Sequence, residues 1–103
     1  MAKKIEARFI NNSNKHYALV IFQLKTDSDG ENLAERAVYY GFIPSHSFQI
    51  VELEGIGEPS ACVPGTDYEI GDVVSPDDRQ KLMRLTNFDR SVYEVSEMDR
   101  IWS

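Results

Sequence analysis

Cys62, His16 and His46 are the single cysteine and the two histidines of a 103-residue chain. A thiol beside an imidazole makes a nucleophile with its base, provided that the thiol pKa is lowered and a third group orients the ring. Cys62 sits between Ala61 and Val63, which is the setting of a small buried hydrophobe, so it is expected to be structurally inert. The three residues lie thirty and sixteen positions apart, whereas the paired ligands of structural zinc sites sit roughly two to five residues apart. No zinc site follows from the spacing. Asp27-Ser28-Asp29-Gly30 has the composition of a calcium loop. Setting Gly30 on the invariant glycine of an EF-hand puts Lys25 and Arg36 where carboxylates are required, which excludes that motif. An ordinary turn is the expected role.

Glu52 and Glu54, two apart in a stretch that reads as a strand, share a face. Paired carboxylates can perform acid–base work, yet two exposed glutamates on a solvated strand are the ordinary case. Gly55-Ile56-Gly57 lacks the third glycine and the following helix of a phosphate-binding loop. Tyr39-Tyr40-Gly41-Phe42 places aromatic rings on both faces of a strand, and with Tyr17, Phe22 and Phe48 they serve either as core or as an exposed stacking platform.

These residues have to be held by strands. Ile5, Ala7 and Phe9 alternate with Glu6 and Arg8, the period of a strand. Tyr17 to Phe22 is β-branched and aromatic, which predicts a central strand buried on both faces. The dense turn signal Asn11-Asn12-Ser13-Asn14 between them predicts an antiparallel hairpin of the two. A strand is expected from about Arg36 to Ile43, and another over Phe48 to Leu53. In the latter the apolar phase slips between Ile50 and Val51, which predicts a bulge near Ile50. Short apolar stretches at 61–63 and 68–74 read as further strands, with Gly71 allowing a bulge. Ser75 followed by Pro76, Asp77 and Asp78, with Lys81 and Arg84 later, predicts a helix over about 75–86 with Leu82 and Leu85 on its apolar face. Residues 91–95 favour a strand, and 97–102 a last strand or a helical turn. The expected fold is mainly β: a small antiparallel sandwich or partly open barrel, in one domain over residues 1–103, with one short helix in its C-terminal half.

A hydrophobic fraction of 42% suffices for a folded core and is too high for a disordered chain. No apolar run approaches the roughly 20 residues of a membrane helix, and no signal peptide is visible at the N-terminus. With one cysteine, no disulfide forms within the chain. A cytoplasmic protein with no membrane association and no cofactor is the expectation. The net charge of −6 is unevenly placed. Residues 1–25 hold five bases and one acid, residues 26–78 twelve acids and one base, and residues 79–103 five bases and four acids. An acidic middle opposes direct nucleic-acid binding, which needs Lys and Arg at the phosphates. Nothing here has the pattern of an enzyme. The expected function is a protein–protein interaction or assembly module with a charge-segregated surface, contacting a protein partner or a second copy through Asp27, Asp29, Glu52, Glu54, Glu58, Tyr39 and Tyr40. The alternative is an acidic inhibitor that masks a basic nucleic-acid-binding site on a partner such as a nuclease.

Overall fold

A computed structural model describes residues 4–27, 29–54, 58–63, 68–86 and 91–102. The strands β1 (Lys4–Asn11), β2 (Tyr17–Thr26), β3 (Leu33–Ile43) and β4 (Ser47–Glu54) are followed by a short β5 (Ser60–Cys62). Then come the one-turn helix α1 (Pro76–Arg79), β6 (Met83–Arg84), β7 (Ser91–Glu94) and α2 (Val95–Trp102). The fold is mostly β, with two sheets, no closed barrel among the described residues, and short helices in its C-terminal part. One sheet has the order β4-β1-β7 and the other β3-β2-β5-β6. The pairings are antiparallel except β1 with β7, which is parallel.

The first half of the chain is one long antiparallel ribbon folded across its middle. β2 pairs with β3 from Tyr17↔Ile43 to Thr26↔Leu33, and β1 pairs with β4 from Asn11↔Ser47 to Lys4↔Glu54. The ribbon reverses between Thr26 and Leu33 and bends where residues 12–16 and 44–46 carry both strands from one sheet to the other. This corrects the expected hairpin of β1 with β2, which lie in different sheets. The asparagine-rich turn is a corner, and Asn11 makes it so. Its fully buried Nδ2 donates to the carbonyls of Lys15 (2.7 Å), Ile43 (3.0 Å) and Pro44 (3.1 Å), while its Oδ1 accepts from the Ser13 amide and hydroxyl. One side chain therefore ties the first corner to the second. Ser45 N donates to His16 Nδ1 at 3.0 Å, and His46 Nε2 lies 2.7 Å from Asn14 Oδ1.

The core has two compartments, one on each face of the four-stranded sheet. Between the sheets, Ala7, Phe9, Leu19, Ile21, Ile43, Val51 and Leu53 meet Val95 and Met98 of α2. On the far face, Val20, Phe22, Ala37, Cys62 and Val74 lie under Tyr68, Leu82 and Trp102. As expected for a central strand, β2 is buried on both faces from Leu19 to Gln23.

Ser75 caps α1, its Oγ accepting from Asp78 N at 3.2 Å, with Pro76 as the first helical residue. The helix ends at Arg79, short of the expected residue 86. Leu82 and Leu85 serve different compartments: Leu82 covers the outer one, and Leu85 reaches the space between the sheets, with its amide bonded to Pro59 O at 2.9 Å. No straight helix could place both. Residues 68–74 form a turn around Gly71 (φ 97°) with a single bridge, Arg36↔Val73, in place of the expected strand. The bulge expected near Ile50 is also absent, since β4 pairs with β1 without interruption. The ribbon's irregularity lies instead between Ile21 and Phe22 of β2, opposite Val38.

Candidate interaction surface

The groups with chemical potential are scattered. Cys62 is fully buried in the outer compartment, and burial together with the nearby Asp78 carboxylate pushes its thiol up to about 12, where the reactive thiolate is unavailable. His16 and His46 lie at the two corners, bonded to the opposite corner. Among the described residues no three of His, Cys, Asp and Glu converge as a metal site. Both oxygens of Asp27 are taken up by the ribbon's own reversal: Oδ1 accepts from the amides of Asp29 and Glu31, and Oδ2 from Asn32 Nδ2 at 2.8 Å. Those bonds, the Glu31 amide first, hold its carboxyl below the usual value.

Beside this loop runs a groove of about 460 Å³ lined by Lys25, Asp27, Arg36, Ile70 and Asp72 among others. Asp27, Arg36 and Asp72 in its wall are engaged in holding the fold. The Arg36 guanidinium donates to the carbonyls of Lys25, Gly71 and Asn32, each at 3.2 Å, and Asp72 accepts from the Glu69 amide. Asp29 and Glu58 are exposed. Tyr39 and Tyr40 do not form one aromatic surface. The Tyr39 ring turns inward, half-buried against the core and over Gly41, while Tyr40 points outward with Phe42, whose ring His16 approaches at 5.7 Å.

Exposed apolar side chains gather on the outer face of the three-stranded sheet, as Tyr40 and Phe42 do on that of the four-stranded sheet. Strand alternation sends Ala7, Phe9, Val51 and Leu53 into the core, so Glu6, Arg8, Phe48, Ile50, Glu52 and Glu54 all face out. Arg8 is the centre of this face, opposite Ile50 on one side and Val92 on the other. Phe48 is 53% exposed, Ile50 51% and Val92 58%. The Arg8 guanidinium lies 5.0 Å from the centroid of the Phe48 ring, within cation–π range. Next along the strands stands the carboxylate pair Glu6↔Glu52, two like charges directly opposite. The basic start of the chain and its acidic middle are thus neighbours within one sheet, since β1 lies against β4.

Of these residues, the sequence singles out Glu52 and Glu54, and Phe48 as one ring of an aromatic platform, but not Arg8, Ile50 or Val92. The signal was the phase slip in 48–53. Taken as a regular strand with Phe48 and Ile50 turned to solvent, that stretch announces an apolar outer face. Compared with protein-family models, with curated proteins and with solved structures, the chain matches none.

Proposed function

We propose that this chain is a non-catalytic interaction module of the cytoplasm, which presents the outer face of its β4-β1-β7 sheet to another protein surface. The observation that carries this reading is the exposure of Phe48, Ile50 and Val92 together around Arg8. Contiguous exposed apolar residues rimmed by charge mark contact sites in proteins that otherwise bury such groups. The Glu6–Glu52–Glu54 end of the face gives the contact its polarity, favouring a partner with basic groups beside an apolar patch.

The inhibitor reading draws on that same carboxylate cluster. It is the weaker of the two because Arg8 and three apolar side chains occupy the centre of the face, where a nucleic-acid mimic needs continued negative charge.

A photo-crosslinking residue placed at Val92, in the chain expressed in its own cells, tests the proposal. A discrete adduct with an identifiable protein is expected, and the same residue at Leu33, equally exposed but at the ribbon's tip, should give none. No adduct from position 92, or the same adducts from both positions, would rule the reading out.

A further inference from the structure

β4 is an edge strand, and among the described residues it pairs with β1 alone. Exposed edges invite pairing with another chain, and proteins guard them with bulges, prolines, lysines or covering segments. β3, the corresponding edge of the other sheet, is guarded: its ladder is irregular at Val38, and residues 71–74 bond to its stretch 35–37. Among the described residues no bulge, proline, lysine or further strand guards β4, while Gln23 Nε2 donates to Glu54 O at 3.5 Å. Its sequence, SFQIVELE, holds no proline, lysine or glycine, and its register with β1 is unbroken. Beside its last residues lies a groove of about 210 Å³ that separates Glu52 and Glu54 from Leu24 and Lys25.

We propose that β4 pairs antiparallel with β4 of a second copy about a two-fold axis at Ile50, merging two three-stranded sheets into one of six strands. This goes beyond the interaction reading, adding a contact between two copies along the edge of the same sheet. Charge complementarity selects the occupant, and the register proposed is the one that brings Glu52 to Arg8. In a paired sheet, residues directly opposite must share a face, so a two-fold at Ile50 sets Ile50 against its own copy and Phe48 against Glu52 of the other chain. The Arg8 guanidinium already lies over Phe48, and among the described residues it has no carboxylate partner. Glu52 of the second copy arrives beside that guanidinium, and symmetry makes the contact twice. The contact also relieves Glu52, whose partner across β1 is the like-charged Glu6, an arrangement that weakens a strand pair. A two-fold at Glu52 sets carboxylate against carboxylate, and one at Phe48 carries Glu52 past the end of the other strand. Eight residues of strand edge bury less than the roughly 1,200–2,000 Å² of a standard interface, so the pair forms in a concentration-dependent way.

Sedimentation velocity over a concentration series tests this on the full chain, using Arg8→Glu, Glu52→Arg and an equimolar mixture of the two. The wild type should shift from monomer to dimer. Each variant alone, folded by circular dichroism, should associate about tenfold more weakly or worse, because like charges then meet twice. The mixture should recover association. In the mixed pair, the carboxylate introduced at position 8 of one chain meets the guanidinium introduced at position 52 of the other, while the second contact is native. An effect confined within one chain cannot be rescued by mixing. A wild type that stays monomeric, variants that associate normally, a mixture that fails to recover, or recovery with Glu54→Arg in place of Glu52→Arg would each overturn the proposed pairing. Position 92 lies off the β4 edge, so an adduct there to a different protein from a monomeric wild type sinks the pairing and leaves the wider reading standing.

Discussion

Phe22 and Phe48 both point away from the space between the sheets, and only Phe22 is covered. Phe22 is fully buried on the outer face of the four-stranded sheet, where Tyr68 meets its ring edge-on at 5.1 Å and Val74, Leu82 and Trp102 join the same cluster. Phe48, on the outer face of the three-stranded sheet, has the Arg8 guanidinium above it and is otherwise half in water. The C-terminal third thus covers this part of the four-stranded sheet, with Tyr68, Leu82 and Trp102, and leaves Phe48 and Ile50 uncovered on the other. Covering an apolar face stabilises folding through burial. Leaving one bare gives up that stabilisation and keeps the surface for a partner.

The sharpest contrast comes from making the same substitution on both faces. Phe22→Ala should lower unfolding free energy by about 3–5 kcal/mol, the usual cost of emptying a buried phenylalanine site. Denaturant titration measures it, and a cost below about 1 kcal/mol would mean that the covered compartment is not part of the folding core.

The cover should also show itself in alkali. Burial raises the Cys62 thiol from 9.0 to about 12 and the Tyr68 phenol from 10.0 to about 12, the latter helped by its hydrogen bond to Asp78. Groups that ionise more readily unfolded than folded take stability away as pH rises. Stability should therefore be full below about pH 9 and fall steadily between pH 9 and 12. Tyr68→Phe should cost about 1 kcal/mol at neutral pH for the lost bond and flatten the part of the fall above about pH 10. An unchanged alkaline slope in that variant would show that Tyr68 does not clasp Asp78.

Ser75→Ala should cost about 1 kcal/mol through the lost cap, read as a shift in denaturant midpoint without change of slope. The smallest effect belongs to the bare face. Phe48→Ala should change stability by less than about 0.5 kcal/mol, as for an ordinary surface substitution, and any larger loss would assign Phe48 to the fold rather than to a partner.

How much of this could be read from the chain depends on how local each determinant is. The Ser75 cap and the double burial of β2 were legible because each is written in a few consecutive residues. The partnering of β1 was not. An asparagine-rich turn suits a hairpin and a corner equally, and what decides between them is the bond from Asn11 to carbonyls 43 and 44, more than thirty residues away. The extent of α1 failed for a similar reason: Leu82 and Leu85 have the spacing of one helix face but belong to two compartments. The bare face is hard to read because a bulge near Ile50 reconciles the apolar residues of 48–53 as well as a regular strand does, and only the unbroken pairing with β1 decides for Phe48 and Ile50 in solvent.

Phe42 supplies the internal standard for the most direct test. It is 55% exposed on the outer face of the four-stranded sheet, against 53% for Phe48 on the other. Hydroxyl-radical footprinting with mass spectrometry can compare the two rings in the dilute purified chain, at high concentration and in an extract of its own cells. Modification of Phe48 should fall sharply on association while that of Phe42 stays constant. Equal modification of both rings under every condition, or protection of Phe42 alone, would show that the three-stranded sheet is not the contact face.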